Sequence, residues 1–439
     1  MKVLILDIEA EATGLDLALC AQSAGHEVQF WQPRHQTGEA WEYGDGLVER
    51  PDEWEPWADW ADLIVVNGNS RYHDQLDSLV QEGYPVFGFG LEAARLELDR
   101  GLGQQALADH GVEVLPYAVV ETLDDAIDWL VANQRPVVIK PWGGEGDKSL
   151  TFVTDSPEDA IFTLQQWKRE DLFKGKIMLQ DKVSGVEVGI AGWIGPNGFC
   201  RLVEESFEHK KLMNDEIGPS TGEQGTVIFH TARSKLYTKI LKPLEDYLIG
   251  LRYVGDVSVN CIVDAEGTPW PLEFTCRLGH PDFAIRYEVI DTDPVEWMLD
   301  LVHGTDSFSA RQEAAVGVVM AHGDYPFGYC PKGVWAGYPI HVDGDIAQHL
   351  HWQMVQLGKG PAIEGGEVVQ NTELVTAGNY VVVATGSGPS VTRAQQRAYQ
   401  AVESVRWPGD IQYRTDIGDK VRKALPKLHA LGYCGGIEP

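Results

Sequence analysis

The chain has 439 residues, 44% of them apolar and 23% charged, close to the average for soluble globular domains and long enough for about three of them. Against 35 Lys and Arg stand 66 Asp and Glu, a formal net charge of −31. That balance excludes autonomous binding to DNA, RNA or an anionic membrane surface, because no surplus of cations exists to neutralise phosphates; one small basic pocket for a nucleotide remains open. No apolar run reaches the ~18 residues of a membrane span, and the N-terminus MKVLILDIEAEATG lacks a signal-peptide pattern, so a cytoplasmic chain is expected. Cys20, Cys200, Cys261, Cys276, Cys330 and Cys434 form no CxxC pair and read as reduced, mostly buried thiols.

In chain order, the apolar run Val3–Leu6 reads as a buried parallel strand, and Leu15–Ala24 as a helix stopped by Gly25. Val28–Trp31, Leu63–Val66 and Pro85–Phe89 continue as strands, the third followed by the turn Asn67-Gly68-Asn69. Strands alternating with helices predict a parallel sheet covered on both faces, ending near residue 90. The loop after the first strand holds Asp7, Glu9 and Glu11 rather than closely spaced glycines. Its carboxylates would repel a phosphate, which argues against a dinucleotide site there.

From 91 to 305 the pattern changes. A single helix is expected over Leu91–His110, a strand over Val114–Val119 and a helix over Leu123–Asn133. Pro136-Val-Val-Ile-Lys140 is a buried strand ending in a lysine, and PWGGEGDKSLTFV follows it. A glycine-rich turn between two strands, flanked by Lys140 and Lys148, suits a loop that covers phosphates; an ordinary hairpin is the plainer alternative. Glu187 is a lone acid in an apolar strand, costly unless it has a partner or simply faces outward. In GDVSVNCIVDAEGTPWPLEFTCRLGHPD two strands meet at a turn. Alternation puts Asp256, Ser258 and Asn260 on one face of the first strand, and Glu273, Thr275 and Arg277 on one face of the second. Oxygen donors at this spacing suit Mg²⁺, and a neighbouring Arg suits a carboxylate or phosphate. From 306 to 439, Ala314–Ala321 and Tyr380–Thr385 are expected strands, 327 to 375 reads as β and loop, and Val391–Val405 is a helix with the small apolar face Ala394, Ala398, Ala401 and Val405.

These motifs, in one order over almost the whole chain, resemble glycinamide ribonucleotide synthetase (phosphoribosylamine–glycine ligase), of the ATP-grasp superfamily. The resemblance is carried by GYPVFGFGLEAARLELDR, VVIKPWGGEGDKSLTFV, EHKKLMNDEIGPSTGEQG, PLEFTCRLGHPD, AVGVVMAHGDYP and TRAQQRAYQAVESVRWPGDIQYRTDIG. It implies an α/β and α+β protein: a pre-ATP-grasp parallel α/β domain at 1–90, a two-lobed ATP-grasp domain at 91–305 and a C-terminal α+β domain at 306–439. It also implies ATP with Mg²⁺, or Mn²⁺ in its place, as the cofactor set. Lys140 and Arg100 would contact phosphates beneath a loop carrying Gly143, Gly144, Gly146 and Lys148. Gln180 to Val183 would form the adenine hinge and Glu187 would hold the ribose. Glu273 would bind the metal, with Thr275 where the family has Asn. Arg277 and Lys210 would carry catalytic roles, while Asp256 and Asn260 enter the metal set from alternation alone.

The reaction implied is amide formation through an acyl phosphate, joining a small carboxylate such as glycine to an amine. Neither nucleic acid nor membrane is an expected partner, and the sequence leaves the oligomeric state open. Departures cluster outside the nucleotide half. The family's first glycine-rich loop is DIEAEATG, its Gly-Gly-Met-Gly is Gly222-Glu223-Gln224-Gly225, and its Gly-Asp-Pro-Glu is Gly279-His280-Pro281-Asp282. An altered amine acceptor is therefore expected. The alternatives are an authentic phosphoribosylamine–glycine ligase of purine synthesis and a catalytically silent nucleotide-binding protein.

Overall fold

The computed structural model describes residues 1–9, 13–34, 43–142, 150–327 and 335–439. Strands β1 (Lys2–Asp7), β2 (Glu27–Trp31), β3 (Leu63–Asn67) and β4 (Val86–Phe87) form a parallel sheet in the order β2-β1-β3-β4. Helices α1 (Thr13–Ser23) and α2 (His73–Glu82) connect them. Val3 to Leu6 are wholly buried, as expected of a strand covered on both faces. The strand order reverses between β1 and β3, so the crevice beyond their carboxyl ends is where open α/β sheets receive ligands.

The helix expected over Leu91–His110 is two helices, α3 (Leu91–Leu98) and α4 (Arg100–Asp109). Asp99 between them is extended, and its carboxylate accepts from the N–H groups of Gly101 and Leu102, both at 3.0 Å. Apolar spacing carries across such a one-residue break, so periodicity alone misses it. The break makes Arg100 the first residue of α4.

Next come β5 (Tyr117–Val120), α5 (Leu123–Asn133), β6 (Val137–Pro141), β7 (Phe152–Val153), α6 (Pro157–Arg169) and β8 (Ile177–Asp181). The four strands pair antiparallel as β5-β8-β6-β7. Strand β5 begins later than Val114 because Pro116 has no N–H to give the ladder, although its carbonyl accepts from Asp181 N at 2.9 Å. Ala126, Leu130, Val137, Ile139, Ala160, Leu164 and Trp167 form the core under α5 and α6.

Then follow β9 (Val186–Gly195), β10 (Gly198–Glu208), the short pair β11 (Lys211–Met213) and β12 (Ile217–Ser220), and β13 (Gly225–Thr231). Helices α7 (Lys235–Lys239) and α8 (Glu245–Gly250) lead to the hairpin β14 (Gly255–Val263) and β15 (Pro269–Thr275), and α9 (Asp282–Tyr287) and α10 (Glu296–Val302) to β16 (Ala314–His322). The remaining strands are β17 (Ala336–Pro339), β18 (His341–Val342), β19 (Leu350–Trp352), β20 (Val355–Glu364), β21 (Glu367–Ala377), β22 (Tyr380–Gly388), β23 (Val405–Arg406) and β24 (Ile411–Gln412), with helices α11 (Val391–Glu403) and α12 (Asp419–Ala430). One sheet runs β15-β14-β9-β10-β13-β16-β22-β19, with β24 added at β16. It crosses residue 305 without interruption, because β13 pairs with β16. Among the described residues, no helix is long and apolar enough to cross a membrane.

Candidate active site

One face of this sheet is polar and meets the β5–β8 lobe. In β6, alternation sends Val137 and Ile139 into the helix-packed core and Lys140 to the other side. Lys140 is buried, and its Nζ donates to Gln180 Oε1 at 2.9 Å. Gln180 donates to Gln104 Oε1 at 3.4 Å, and Gln104 donates to the Leu272 carbonyl at 3.0 Å. Burial lowers the Lys140 pKa to about 8; Glu273 opposes the fall, while Arg100 and Lys210 add to it.

Gly189 of β9 pairs with Ser206 of β10, so Glu187 and Glu208, two residues further along each strand, share the polar face. Lys210 Nζ sits between them, 2.7 Å from Glu187 Oε1 and 2.9 Å from Glu208 Oε2. Burial alone would push the Lys210 pKa down, yet Glu187, Glu208 and Glu273 hold it well above its usual value. Burial likewise works to raise Glu187, and Lys210 and Lys420 outweigh it to leave the carboxyl below its ordinary range. The acid that looked costly in an apolar strand therefore has its partner.

Asn260 and Glu273 stand opposite each other in the β14–β15 register. Asn260 Nδ2 donates to both Glu208 oxygens at 3.0 and 3.1 Å. From the start of α4, Arg100 Nη2 lies 3.6 Å from Glu273 Oε2, and Arg100 Nη1 is buried without a hydrogen-bond partner. Val183 falls in the segment joining β8 to β9, where the lobe meets the large sheet. Lys140, Gln180, Glu187, Lys210, Asn260, Glu273 and Arg100 are thus linked by contact or electrostatics.

Other residues read from the sequence fall elsewhere. Asp256 is on the same face as Asn260 but four residues away, about 13 Å along a strand. Its Oδ2 accepts from Arg286 Nη1 at 2.5 Å in a closed cluster where Arg286 also reaches Glu204 (2.7 Å) and Asp282 (3.1 Å). Burial raises the Asp256 carboxyl to about 6 against the pull of Arg286. Asp256 is therefore a member of a structural ion cluster, and the alternation that grouped it with Asn260 gave the right face but not the distance. Thr275 faces Ser258 at the end of β15, one pleat repeat beyond Glu273. Arg277 lies past that end, its Nε 3.3 Å from Glu97 Oε1 and its Nη1 donating to the Leu278 carbonyl at 3.0 Å. Gly143, Gly144, Gly146 and Lys148, like Glu11 and Cys330, lie outside the described residues.

Two site residues, Glu208 and Lys420, escaped the sequence reading, and Gln104 was read there only as a departure at a family lysine position. Glu208 was within reach, because Glu204, Ser206 and Glu208 alternate as clearly as the residues of β14 do. Gln104 is buried on α4. Lys420 of α12, whose Nζ donates to the Glu208 carbonyl at 2.6 Å, arrives from 210 residues beyond Lys210, and no local pattern announces it.

Of the three acids counted in the first loop, the two described ones, Asp7 and Glu9, are both engaged within the chain. Asp7 is fully buried and turned inward, accepting from Tyr43 OH at 3.1 Å and Asn67 Nδ2 at 2.7 Å. Glu9 Oε1 accepts from two successive backbone N–H groups, Asn69 at 2.8 Å and Ser70 at 2.9 Å. Converging N–H groups of this kind form an anion-binding nest, and the chain's own carboxylate occupies it. Gly68, at φ +110°, is required there, since a Cβ would come within 2.7 Å of Glu9 Cγ. Close by, Thr13 Oγ1 is hydrogen-bonded to His280 Nδ1; burial, then Arg277, hold His280 neutral with a pKa of about 3.

Comparison with known proteins matches residues 100–283 to the phosphoribosylglycinamide synthetase ATP-grasp (A) domain and residues 315–420 to the phosphoribosylglycinamide synthetase C domain. The phosphoribosylamine–glycine ligase of Allochromatium vinosum is 27% identical over 79% of this chain and 80% of its own length. That of Vibrio vulnificus is 25% identical over 78% and 79%. The crystal structure of the phosphoribosylamine–glycine ligase of Thermotoga maritima superposes with a TM-score of 0.68 at 23% identity, covering 95% of this chain and all of that one. The fold is ATP-grasp.

The closed cluster gives a stability test. Replacing Arg286 with Met leaves Glu204 and Asp256 buried without their cation, and should cost about 3–5 kcal/mol. Urea denaturation of Arg286→Met measures it.

Proposed function

The chain belongs to the phosphoribosylglycinamide synthetase family, and from that premise we propose that it is a cytoplasmic, ATP-dependent carboxylate–amine ligase whose amine acceptor is not phosphoribosylamine. The observation that carries the ligase reading is the contact of Lys140, buried at the end of its strand, with Gln180, in electrostatic reach of Arg100, Lys210, Glu187 and Glu273. Lys140 and the unpartnered Nη1 of Arg100 are donors suited to phosphate oxygens. Glu187, drawn to Lys210, is suited to accept ribose hydroxyls, and the Gln180–Val183 segment would border the adenine.

The donor set also fits a hard divalent cation. Glu273 supplies a carboxylate, and Asn260, with its Nδ2 committed to Glu208, has its amide oxygen left to offer. Mg²⁺, with Mn²⁺ as a substitute of like oxygen preference, would be held there. When bound, the cation screens the repulsion between a substrate carboxylate and the triphosphate. Lys140, Arg100 and Lys210 share that task, stabilising charge as it moves onto the departing phosphate. Attack of the substrate carboxylate oxygen on the γ-phosphorus would break the bond to the bridging oxygen, release ADP and give an acyl phosphate; attack by the neutral amine nitrogen on its carbonyl carbon then forms the amide and releases phosphate and the amine's proton. No protein nucleophile is required.

The acceptor reading rests on Glu9. A substrate phosphate approaching the crevice beyond β1 and β3 meets a nest already filled by a carboxylate. Two unit charges ~5 Å apart at an effective dielectric of ~20 repel by roughly 3 kcal/mol, about two orders of magnitude in affinity. Steady-state kinetics with glycine, MgATP and freshly generated phosphoribosylamine should give weak or no turnover while nucleotide still binds. Turnover with a sub-millimolar KM for phosphoribosylamine would instead make this an ordinary purine-pathway ligase.

Two further outcomes are expected at the nucleotide end. Lys140→Ala should weaken MgADP binding by ~1.5–3 kcal/mol. In the unmutated protein, affinity should fall as the pH rises through about 8, where Lys140 loses its proton; Lys140→Arg, which stays charged, should bind without that dependence. Titration calorimetry between pH 6.5 and 9.5 reads both. Glu273→Gln keeps shape but removes charge, and should raise the Mg²⁺ concentration needed for half-maximal turnover far more than it weakens nucleotide binding.

A further inference from the structure

Beside Lys210 the chain turns through Thr221-Gly222-Glu223-Gln224 before entering β13. This turn is fastened to the lysine's own segment. Thr221 N and Oγ1 donate to the Lys210 carbonyl at 2.8 and 3.1 Å, and Gln224 N donates to the His209 carbonyl at 2.9 Å. Glu223 is thereby held at the flank of the Lys210–Glu208 pair. It is 6% exposed, and its Oε1 has no hydrogen-bond partner.

Three polar atoms on neighbouring positions share that condition: Gln224 Nε2, Thr226 Oγ1 and Asp282 Oδ1 are all buried and unpartnered. Thr226 stands opposite Glu208 in the β10–β13 register. Asp282 opens α9, which packs on β13. Burial, then the charges of Glu208 and Asp282, hold the Glu223 carboxyl well above its usual range, with Lys210 and Lys420 pulling the other way. Those lysines are already engaged, Lys210 with Glu187 and Glu208, Lys420 with the Glu208 carbonyl.

A buried acceptor left without a donor costs free energy, and native structures hold few such groups. Two of the four unpartnered atoms are carboxylate oxygens, one is a hydroxyl and one, Gln224 Nε2, is an amide donor. Arg286 already holds the other oxygen of Asp282, at 3.1 Å, but Glu223 Oε1 and Asp282 Oδ1 have no donor of their own. An ammonium group supplies three N–H bonds and one positive charge.

We propose that Glu223 and Asp282 hold the ammonium group of an amine-bearing substrate, which makes Glu223 a specificity-determining residue of this chain. The inference rests on the ligase reading and narrows it: the substrate bound here is a cationic amine. In the motif this segment resembles, a glycine stands at the position of Glu223, so the acceptor side chain is this protein's own addition.

The test is titration calorimetry of the full chain saturated with MgADP, using pairs that differ only in ammonium against hydroxyl: glycine against glycolate, and 1,3-diaminopropane against 1,3-propanediol. In at least one pair the ammonium compound should bind tenfold or more tightly than its hydroxyl counterpart. Glu223→Gln should erase the preference, and Glu223→Asp should retain part of it. MgADP affinity within twofold of the unmutated protein shows that the variants are folded. If no ammonium compound binds preferentially to the unmutated protein, or if the preference survives in Glu223→Gln, the inference is overturned. Failure of MgADP itself to bind the unmutated protein would strike the ligase reading instead, so the two failures are told apart.

Discussion

Lys210 lies between Glu187 and Glu208 on the inner face of a buried sheet, one cation shared by two carboxylates. Charge on such a face is costly unless opposite charge and hydrogen bonds come with it. The protein meets this constraint twice on one surface. At one end Arg286 closes on Glu204, Asp256 and Asp282 with almost no exposure, a cluster that fixes α9 against the strands. At the other end the pairing is looser: Glu273 is 3.6 Å from Arg100, Lys210 keeps some exposure, and an arginine nitrogen has no partner. The closed cluster holds the fold, and the open one has capacity left for anionic phosphates and a cation.

Four separated stretches supply the open end, Arg100 and Gln104 coming from α4. Lys140 and Gln180 come from the small antiparallel lobe, Glu187, Glu208, Asn260 and Glu273 from the large sheet, and Lys420 from a helix near the C-terminus. Because β13 pairs with β16, the sheet that bears the site continues directly into the C-terminal strands, which places α12 within reach of β10. The first domain contributes in a different manner. Its turn after β3 offers two N–H groups, and Glu9 takes them.

Where the polar face is made by strict alternation, the sequence was readable. The polar faces that carry Asn260 and Glu273, and Lys140 emerging from an apolar strand, follow from a period of two, whereas the register that sets Asn260 opposite Glu273 depends on an irregularity after Asn260 that alternation does not show. Alternation gives the face but not the place along it, which is why Asp256 joined the metal set on paper and a salt-bridge cluster in the structure. The break at Asp99 was hidden because a capping aspartate between two helices leaves the apolar rhythm unchanged. The charge of the first loop was counted correctly but its direction was not: Asp7 points into the core toward Tyr43 and Asn67. Lys420 was illegible for the simplest reason, that contact across 210 residues leaves no trace in local pattern.

Under the proposed ligase reaction, a carboxylate substrate is activated by phosphorylation at the Lys140–Lys210 end of this face. The most direct test of that step is isotope transfer: a carboxylate labelled with ¹⁸O in both oxygens, supplied with MgATP and an amine that supports turnover, followed by mass spectrometry of the phosphate released. The account predicts one ¹⁸O in each phosphate formed, with ADP as the other nucleotide product. Label appearing in AMP, or phosphate carrying only solvent oxygen, would contradict it.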